Sequence, residues 1–399
     1  MDQLFSYQNK LLEQTPGEWY RSMFRQLEWE QRLLGIKGLR GVGKTTLLLQ
    51  YLKHHYPEPE SALYVTADDP WFYNRSLAEL IEEWHKYGGK LLLVDEVHKY
   101  PNWSRELKVG YDGHPDMRFI FTASSAFDVF KGEADLSRRA IVRDIPGMSF
   151  REYLHFAHGL EFDTVSLNQL LKEGPKLTKM IKKELKPLPL FNEYLQQGYF
   201  PFSGKEEDWR LSREKFISIV NVTLETDLAF VEDYSASNIL KIKKLLGVIA
   251  DSAPFEPNIS KIAKKLKIGR NTVYNFLKHL EDTGILRLQY KRGSGITALQ
   301  KPEKVYFENP NIAMAYGNAS DKGALRETFF INQLHNAGYK VNLAEKGDFI
   351  VEDQYVFEVG GKNKQAGQVK EVPESRLALD EIEYAFGNKI PLWMFGFLY

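Results

Sequence analysis

The glycine-rich segment from Gly38 to Thr45 constrains the fold more than any other part of the chain. It reads Gly-Leu-Arg-Gly-Val-Gly-Lys-Thr and fits the pattern G-x-x-x-x-G-K-[ST] at every fixed position. Average residue frequencies produce this pattern by chance in about one chain in a hundred of this length. The loop follows an apolar run at 33–36 and precedes a helical pattern at 45–54. Successive backbone N–H groups and the helix dipole should therefore converge on one point, where a phosphate fits better than in an ordinary glycine-rich turn.

The residue types of this loop predict separate tasks for its members. Lys44 can reach the β- and γ-phosphates of a nucleotide, and the Thr45 hydroxyl can bind Mg²⁺. The predicted nucleotide-binding residues are Gly38, Arg40, Gly41, Val42, Gly43, Lys44, Thr45 and Thr46. ATP and Mg²⁺ are thus the expected ligands.

A second apolar run, at 91–94, ends in two acids, Asp95 and Glu96. Open parallel sheets bind ligands at the carboxyl ends of their strands, which is where these side chains should lie. Because side chains alternate along a strand, Asp95 can face the Mg²⁺ held by Thr45 while Glu96 orients or deprotonates the attacking water. Two solvated acids at the end of a strand are common. This pair indicates a nucleotide site because a phosphate-binding loop precedes it in the chain.

Two further features are candidates for the same site. The run at 119–122 is followed by Ala123 and Ser124, and the Ser124 hydroxyl is a candidate for sensing the γ-phosphate, although serines also cap strands and turns. Arg138 and Arg139 precede another apolar run at 141–145. Either guanidinium could neutralise transition-state charge as an arginine finger, or both could be surface residues.

Composition and length predict a multidomain protein of the α/β class. At 399 residues the chain exceeds one ordinary core, and its 43% hydrophobic and 27% charged residues are typical of folded proteins. Short apolar runs alternate with helical patterns up to residue 150, which predicts a parallel sheet covered on both faces. The chain has no cysteine, so disulfides and thiolate metal sites are excluded. It shows no signal peptide and no run long enough to span a bilayer, so a cytoplasmic location without membrane contact is expected.

We expect four domains: an ATPase domain at 1–150, a helical region at 151–235, a winged-helix domain at 236–308 and a small α+β domain at 309–399. A lysine-rich stretch at 171–186 is most simply a solvated helix face, and Pro187 and Pro189 should end that helix. The apolar residues 390–399 fit a buried closing strand.

Several of these segments together resemble a known family. The segments 38–46, 95–103 (Asp-Glu-Val-His-Lys-Tyr-Pro-Asn-Trp), 122–125 (Thr-Ala-Ser-Ser) and 138–154 follow in the order seen in prokaryotic AAA+-type ATPases that carry a C-terminal domain of unknown function. The resemblance implies a five-stranded AAA+ core, a helical region, a winged helix and a restriction-endonuclease-like unit. The family usually has a glycine before the arginine matched by Arg139, and this chain has Arg138 there.

The segment 260–282 reads as a helix-turn-helix. Val273, Phe276, Leu277 and Leu280 mark the side of the second helix that should be buried. Its other side, with a wing at 291–295, offers the candidate DNA contacts Arg270, Asn271, Thr272, Tyr274, Lys278 and Arg292. Residues 241–306 contain 14 Lys and Arg and five acids, a local excess of +9, which favours duplex DNA as the partner. Winged helices also dock proteins, so that alternative stays open.

The C-terminal segment contains Glu327, then Asp348, then Glu358. Asp348 and Glu358 resemble the D…E-x-K site of restriction-type nucleases, but Gly360 stands at the lysine position and the nearest replacement by sequence is Lys362. We therefore expect a remnant nuclease fold used for structure or binding.

The sequence as a whole predicts an ATP-driven switch or motor that acts through a DNA-binding module, and a homo-oligomer or a protein partner is possible. Two alternatives belong to other classes: an ATP-gated metal-dependent nuclease and a nucleotide-stabilised scaffold that does not hydrolyse ATP.

Overall fold

The computed structural model describes residues 1–56, 61–125, 136, 138–206, 208–228, 234–251, 255–291, 301–317, 322–365, 367 and 372–399. The chain forms two compact units, Met1–Pro146 and Gly147–Tyr399. The finer division of the second unit at residues 235 and 308 remains a prediction. In the part of the chain that is described, no helix is both long enough and apolar enough to cross a membrane.

The first unit is built on a five-stranded parallel sheet. Its strands are β1 (Leu33–Gly38), β2 (Ala62–Thr66), β3 (Leu91–Asp95), β4 (Arg118–Ser124) and β5 (Ile141–Asp144). Neighbouring strands pair in the order β5-β1-β4-β3-β2. Each apolar run noted in the sequence corresponds to one of these strands, so the predicted α/β class is confirmed.

Helices cover this sheet. They are α1 (Asp2–Gln14), α2 (Ser22–Gln26), α3 (Lys44–His55), α4 (Leu77–Lys86) and α5 (Trp103–Gly113). Every residue of β3 is buried, as expected for a central strand covered on both faces, and this burial explains its almost uniform apolar sequence. The helices bury their apolar faces against such strands. The ends of the strands therefore remain accessible for a functional site.

The α1 helix protects the exposed edge of β2. Gln8 is completely buried; its Oε1 accepts a hydrogen bond of 2.7 Å from the Tyr64 backbone N–H, and its Nε2 donates to the Ala62 carbonyl at 3.4 Å. One side-chain amide thus satisfies backbone groups that an unpaired edge strand would otherwise expose. This arrangement fixes Tyr64 in β2, close to the functional site described below.

The second unit begins with helices. They are α6 (Phe150–His158), α7 (Leu167–Ile181), α8 (Pro187–Glu193), α9 (Trp209–Val222) and α10 (Ala236–Ala250). The expectation that Pro187 and Pro189 end the lysine-rich helix is wrong. That helix ends at Ile181, and Pro187 instead begins α8, where its missing N–H costs no helical hydrogen bond.

A helix pair and a hairpin follow. The helices are α11 (Ile259–Leu266) and α12 (Arg270–Asp282), and the strands β6 (Leu286–Gln289) and β7 (Lys304–Phe307) are antiparallel. The predicted second helix is confirmed, together with the burial of its four marked apolar residues. The predicted wing, including Arg292, lies outside the described residues apart from Lys291.

The remaining elements form the α+β segment. They are α13 (Pro310–Tyr316), α14 (Lys322–Asn336), β8 (Val341–Leu343), β9 (Phe349–Val351), β10 (Tyr355–Gly360), β11 (Arg376–Leu379) and β12 (Lys389–Pro391). The strands β8, β9 and β10 are antiparallel, whereas β10, β11 and β12 are parallel. Contacts such as the 2.6 Å hydrogen bond from the Tyr306 hydroxyl to Glu327 Oε2 join this segment to the hairpin.

The expectation of a closing strand at 390–399 is only partly correct. Strand β12 ends at Pro391, and Leu392–Phe397 forms a buried 3₁₀ helix. Phe395 packs against Phe330 of α14 with ring centroids 4.8 Å apart. A short apolar run indicates burial but does not by itself distinguish a strand from a buried helical turn.

Candidate functional site

The glycine-rich loop lies between β1 and α3, at the carboxyl edge of the parallel sheet. Gly41 and Gly43 have φ angles of 87° and 97°, a region that residues with a Cβ rarely adopt. Gly43 directly precedes α3, and its carbonyl accepts the helix hydrogen bond from Leu47 N at 2.9 Å. The conformation therefore opens a helix whose first N–H groups are available for an anion.

Two contacts hold this loop in place. A Cβ on Gly38 would lie 2.5 Å from the Ile145 carbonyl oxygen, so only glycine fits beside the chain after β5. The buried Arg21 donates from Nη1 to the Val42 carbonyl at 2.9 Å and from Nη2 to the Pro146 carbonyl at 3.0 Å. Arg21 could not be predicted as part of this site, because it stands outside the motif in the chain.

Lys44 is buried and folded back into the loop. Its Nζ donates to the Gly38 carbonyl at 2.7 Å and to the Leu39 carbonyl at 3.3 Å. The neighbouring Thr45 and Thr46 are exposed at the start of α3. The loop carbonyls thus hold this ammonium beside the start of α3.

The Asp95 carboxylate is the centre of a hydroxyl cluster. Thr45 Oγ1 donates to Asp95 Oδ2 at 2.6 Å, the Tyr64 hydroxyl donates to the same oxygen at 2.9 Å, and Thr122 Oγ1 donates to Oδ1. Burial, followed by the negative charge of Asp95, raises the pKa of Tyr64 well above its usual value, so this phenol remains a proton donor. The structure therefore joins the two predicted metal ligands, Thr45 and Asp95, in one cluster.

Glu96 has a different environment. Its backbone is left-handed, with φ of 53°, and its N–H donates to Thr122 Oγ1 at 2.9 Å. Its carboxylate forms ion pairs with Arg40 of the loop, at 3.4 Å, and with Lys99. The hydroxyl of Thr122 thus orders both acids, and two cations fix the direction of the Glu96 side chain.

Lys99 extends this charge network to the segment after β2, because its ammonium also pairs with Asp68. Partial burial opposes the protonated form, but the hydrogen bonds to Asp68 and Glu96 outweigh it, and the pKa of Lys99 is raised above its usual value. Charges therefore alternate along Arg40, Glu96, Lys99 and Asp68. Thr122, Tyr64 and Lys99 are site residues that the sequence reasoning missed. Thr122 and Tyr64 stand in separate strands that only folding brings beside Asp95, whereas Lys99 lies in the 3₁₀ turn directly after Glu96.

Ser124 lies at the carboxyl end of β4, where it was expected. It is buried, and its backbone N–H donates to His98 Nδ1 at 3.3 Å. Its role as a γ-phosphate sensor remains a prediction. The neighbouring Thr122 has the hydroxyl that contacts Asp95.

Arg138 and Arg139 lie near the amino ends of the strands, opposite the carboxyl ends where the glycine-rich loop lies. They precede β5, whose first residue, Ile141, is in register with Leu34 at the start of β1, whereas the loop follows the end of β1. The four strand residues that follow Leu34 span about 13 Å. Arg139 also forms two hydrogen bonds to Asp112, at 2.9 and 3.0 Å. Within one chain, neither arginine is therefore beside Lys44.

The candidate DNA-binding residues of α12 are spread over its solvent side. Arg270, Asn271 and Lys278 are exposed, and Thr272 and Tyr274 are partly exposed. Lys278 pairs with Asp282 at 2.8 Å and with Glu281 at 3.2 Å. Its charge is thus partly neutralised, whereas no ion pair involves Arg270 within the described residues. Lys261, Lys264, Lys265 and Lys267 of the preceding helix and turn are all exposed.

The C-terminal acids come together with a lysine that the sequence reasoning missed. Lys364 Nζ lies 3.6 Å from Asp348 Oδ2 and 3.7 Å from Glu358 Oε2. A Cβ on Gly360 would lie 2.8 Å from the Lys364 Cβ, so the glycine makes room for this side chain. The predicted replacement, Lys362, is exposed and is not among the ion-pair partners of these two acids within the described residues.

Glu327 lies on α14 near this group. It accepts the hydrogen bond from Tyr306, and Lys304 Nζ lies 3.7 Å from its Oε2. Burial, more than the opposing charge of Lys304, raises the pKa of Glu327 above its usual value. Among the described residues, no three His, Cys, Asp or Glu side chains are grouped so that they could hold a metal ion.

Comparisons with known proteins match two separate segments of the chain. Residues 30–154 match the family described as an AAA domain, and residues 188–322 match a domain of unknown function (DUF8612). The uncharacterized protein MJ1637 of Methanocaldococcus jannaschii is 27% identical over 373 residues, which cover 85% of this chain and 78% of that protein. The uncharacterized protein MJ1544 of the same organism is 25% identical over 348 residues, covering 84% and 73%.

Among solved structures, AMPPCP-bound DnaA from Aquifex aeolicus is 18% identical, covers 68% of this chain and 86% of its own, and has a TM-score of 0.26. The replication initiator DnaA bound to AMPPCP and single-stranded DNA is 18% identical, covers 68% and 91%, and has a TM-score of 0.30. The family model and the strand order β5-β1-β4-β3-β2 together identify the first unit as an AAA+-type P-loop domain.

Proposed function

We propose that the first unit binds ATP with Mg²⁺ and hydrolyses it to ADP and phosphate. The observation that carries this proposal is the 2.6 Å hydrogen bond from Thr45 Oγ1 to Asp95 Oδ2, directly beside the phosphate loop. It joins the start of α3 to the end of β3, so a triphosphate held by the loop lies next to both acids.

The donor set around Asp95 fits Mg²⁺. Mg²⁺ prefers oxygen ligands and is usually held by one or two protein groups together with water and substrate phosphate, rather than by a complete protein cage. Thr45 and Asp95 supply one hydroxyl and one carboxylate in this way. When bound, the ion neutralises charge on the β- and γ-phosphates.

The chain's own residues then perform the remaining tasks. Lys44 leaves the carbonyls of Gly38 and Leu39 and binds the phosphates. Arg40, which is also part of the loop, is drawn to the same negative charge, so its ion pair with Glu96 weakens. Glu96, still directed by Lys99, is then available to orient the attacking water.

A Lys44→Ala variant tests ATP binding directly. We expect its affinity for a fluorescent ATP analogue to fall at least a hundredfold, because the ammonium held at the loop carbonyls is lost. Lys37→Ala is the matched control: this lysine lies in β1 and pairs with Asp144 at 3.4 Å. Equal ATP affinity in the wild type and in Lys44→Ala would show that the proposed site does not exist.

We further propose that the helix pair α11 and α12 binds duplex DNA and that the nucleotide state alters this binding. The exposed cations at 261, 264, 265, 267 and 270 support this proposal. Arg270→Ala combined with Lys261→Ala should weaken binding of a labelled duplex and reduce its salt dependence, whereas Lys278→Ala should have less effect because of its acidic neighbours. Absence of duplex binding at low ionic strength would leave protein docking as the role of this segment.

A specific observation also supports the nuclease alternative. Lys364 contacts both Asp348 and Glu358, so the lysine missing at position 360 has a counterpart in space. Plasmid nicking with Mg²⁺ that is abolished by Asp348→Ala would establish this activity. A third possibility, a scaffold that binds ATP without hydrolysis, predicts equal background phosphate release from the wild type and Glu96→Gln.

An assembly would give Arg138 and Arg139 access to a nucleotide, because they could approach the phosphate loop of a second copy. Solution mass measured with and without ATP tests this proposal. An unchanged monomer with full ATPase activity would exclude an arginine finger supplied in trans.

A further inference from the structure

A row of lysines runs along one side of α7, which lies between the two segments that match known families. Residues 171–186 contain six lysines and two glutamates, an excess of four positive charges. Lys172, Lys176 and Lys179 are exposed on α7, and Lys183 is exposed in the turn that follows. Their spacings of four, three and four residues place them on one helix face. We call these four residues the lysine row.

The packing of α7 directs this row away from the second unit. Leu167, Leu170, Gly174, Thr178 and Ile181 are buried on the opposite face. At the middle of that face, a Cβ on Gly174 would lie only 3.1 Å from the Ala385 Cβ, and the Ala385 N–H donates to Thr178 Oγ1 at 3.3 Å. The close approach and the hydrogen bond fix the rotation of the helix, and with it the direction of the lysine row.

The turn after α7 continues the same direction. The backbone N–H groups of Lys182 and Lys183 donate to the Thr178 and Met180 carbonyls, both at 3.1 Å. Lys182 points elsewhere, because it pairs with Glu383 and its Nζ lies 4.2 Å from the Tyr384 ring centroid. Lys183 therefore extends the row by one position, whereas Lys182 serves packing.

An ordinary solvated helix face has a different charge pattern. Such faces commonly place acids three or four residues from lysines, where the opposite charges stabilise the helix. Here each row lysine has another row lysine three or four residues away, and such like-charge pairs are destabilising. Only Lys176 has an acidic partner among the described residues, Glu173 at 3.3 Å, and both side chains are largely exposed. The row thus lowers helix stability unless a polyanion neutralises it.

We propose that the lysine row binds the phosphate backbone of duplex nucleic acid, independently of base sequence. Helical spacing separates successive row lysines by about 4.5 to 6 Å along the axis, which suits a strand whose phosphates repeat at short, regular intervals. Lysine suits this contact because its ammonium acts as a point charge without demanding a fixed base edge. The row is separate in sequence from the α11 and α12 pair and supplies a second, nonspecific contact.

The test uses the full chain and a labelled 30-base-pair duplex of mixed sequence. The row variant is Lys172→Gln, Lys176→Gln and Lys179→Gln together, since glutamine removes the charge and has a helix propensity similar to that of lysine. The control variant, Lys10→Gln, Lys86→Gln and Lys346→Gln, removes the same charge from three exposed, scattered lysines. Affinity is measured against salt concentration.

We expect the row variant to bind at least tenfold more weakly and its slope of log affinity against log salt to fall by about 2 to 3, since each phosphate contact contributes about 0.9. The control should retain the wild-type slope. Equal losses of duplex affinity in both variants would show that net charge alone is responsible and would overturn the proposal. An unchanged affinity in the row variant would also overturn it. Stronger binding to phosphatidylserine vesicles than to the duplex, lost with the row, would assign the surface to membranes and also overturn it.

Thermal unfolding supplies a second readout. Because repulsion between the row lysines is removed, the row variant should melt about 1 to 2 °C higher than the wild type at low salt. An unchanged or lower melting temperature would contradict the proposed repulsion between the row lysines.

Failure of the helix pair to bind DNA is distinguishable from failure of the lysine row. In that case Lys261→Gln, Lys264→Gln and Lys265→Gln together would leave duplex binding intact, while the row variant would lose it.

Discussion

Each unit contains a pair of adjacent carboxylates, but different partners surround the two pairs. Asp95 and Glu96 stand at the end of β3 in the first unit, whereas in the second unit Asp348 precedes β9 and Glu358 lies within β10. Asp95 accepts hydrogen bonds from three hydroxyls, of which Thr45 and Tyr64 share one oxygen. Hydroxyl donors leave the carboxylate with its full negative charge. Under the proposed function, this charge would attract the cation that accompanies ATP.

The second pair already has an internal cation. Lys364 Nζ lies within 3.7 Å of both Asp348 and Glu358, and the Val359 N–H donates to Asp348 Oδ2 at 2.8 Å. An ammonium between two acids lowers their demand for a divalent ion. The two pairs therefore differ in the charge of the groups around them, although both consist of adjacent acids.

The largest expected effect separates the catalytic contributions of the two pairs. Glu96→Gln should reduce kcat for ATP hydrolysis by about 10²- to 10⁴-fold while ATP affinity is retained, because the amide cannot accept a proton from water. Glu358→Gln should leave turnover unchanged. Steady-state phosphate release and ATP binding measure both variants, and equal turnover losses would show that the two pairs do not differ in the proposed way.

The second prediction concerns the loss of the cation beside Asp348 and Glu358, which would make their surroundings more like those of Asp95. Lys364→Met removes the ammonium and should destabilise the protein by about 1 kcal/mol, a value kept small because the lysine side chain is 39% exposed. Addition of Mn²⁺ should then raise the melting temperature of the variant more than that of the wild type, since two unbalanced acids favour a cation. A larger Mn²⁺ effect in the wild type would mean that Lys364 assists metal binding instead of replacing it.

The third prediction concerns the hydroxyl that orders the first pair. Thr122→Val keeps the side-chain shape but removes the donor to Asp95 and the acceptor for Glu96 N–H. We expect about tenfold lower turnover, a higher Mg²⁺ requirement and a loss of about 1 to 3 kcal/mol in unfolding free energy. Ser124→Ala, from the same strand end, is the comparison variant. A larger loss of turnover in Ser124→Ala would make Ser124 the principal polar residue of β4.

The nucleotide loop and the Asp95–Glu96 pair could be predicted from sequence because their chemistry is encoded in short contiguous segments. The strands of the first unit could also be predicted, since central parallel strands are buried on both faces and are therefore almost uniformly apolar. Thr122 and Tyr64 could not be identified in the same way. Each stands in a strand of its own, and only the order β4-β3-β2 brings both hydroxyls to Asp95.

Lys364 likewise could not be identified from its position in the sequence. Counting along the chain pointed to Lys362, but the turn after β10 brings Lys364 back over Gly360 and between the acids. The Lys364 backbone N–H donates to the Gly361 carbonyl at 2.9 Å, which closes this turn. Sequence spacing locates a side chain only while the strand continues, and here the strand ends at the glycine.

The smallest expected effect tests whether the hydroxyls around Asp95 are individually important. Tyr64→Phe removes one hydrogen bond to Asp95 Oδ2 and leaves the donor from Thr45 on the same oxygen. We expect a loss of about 0.5 to 1.5 kcal/mol in unfolding free energy and less than a threefold change in kcat, because the carboxylate stays hydrogen-bonded and charged. Chemical denaturation and steady-state turnover provide the two values. A loss of turnover as large as that of Thr122→Val would show that the phenol itself positions the metal-binding oxygen, and that the first pair depends on all three of its hydroxyl donors.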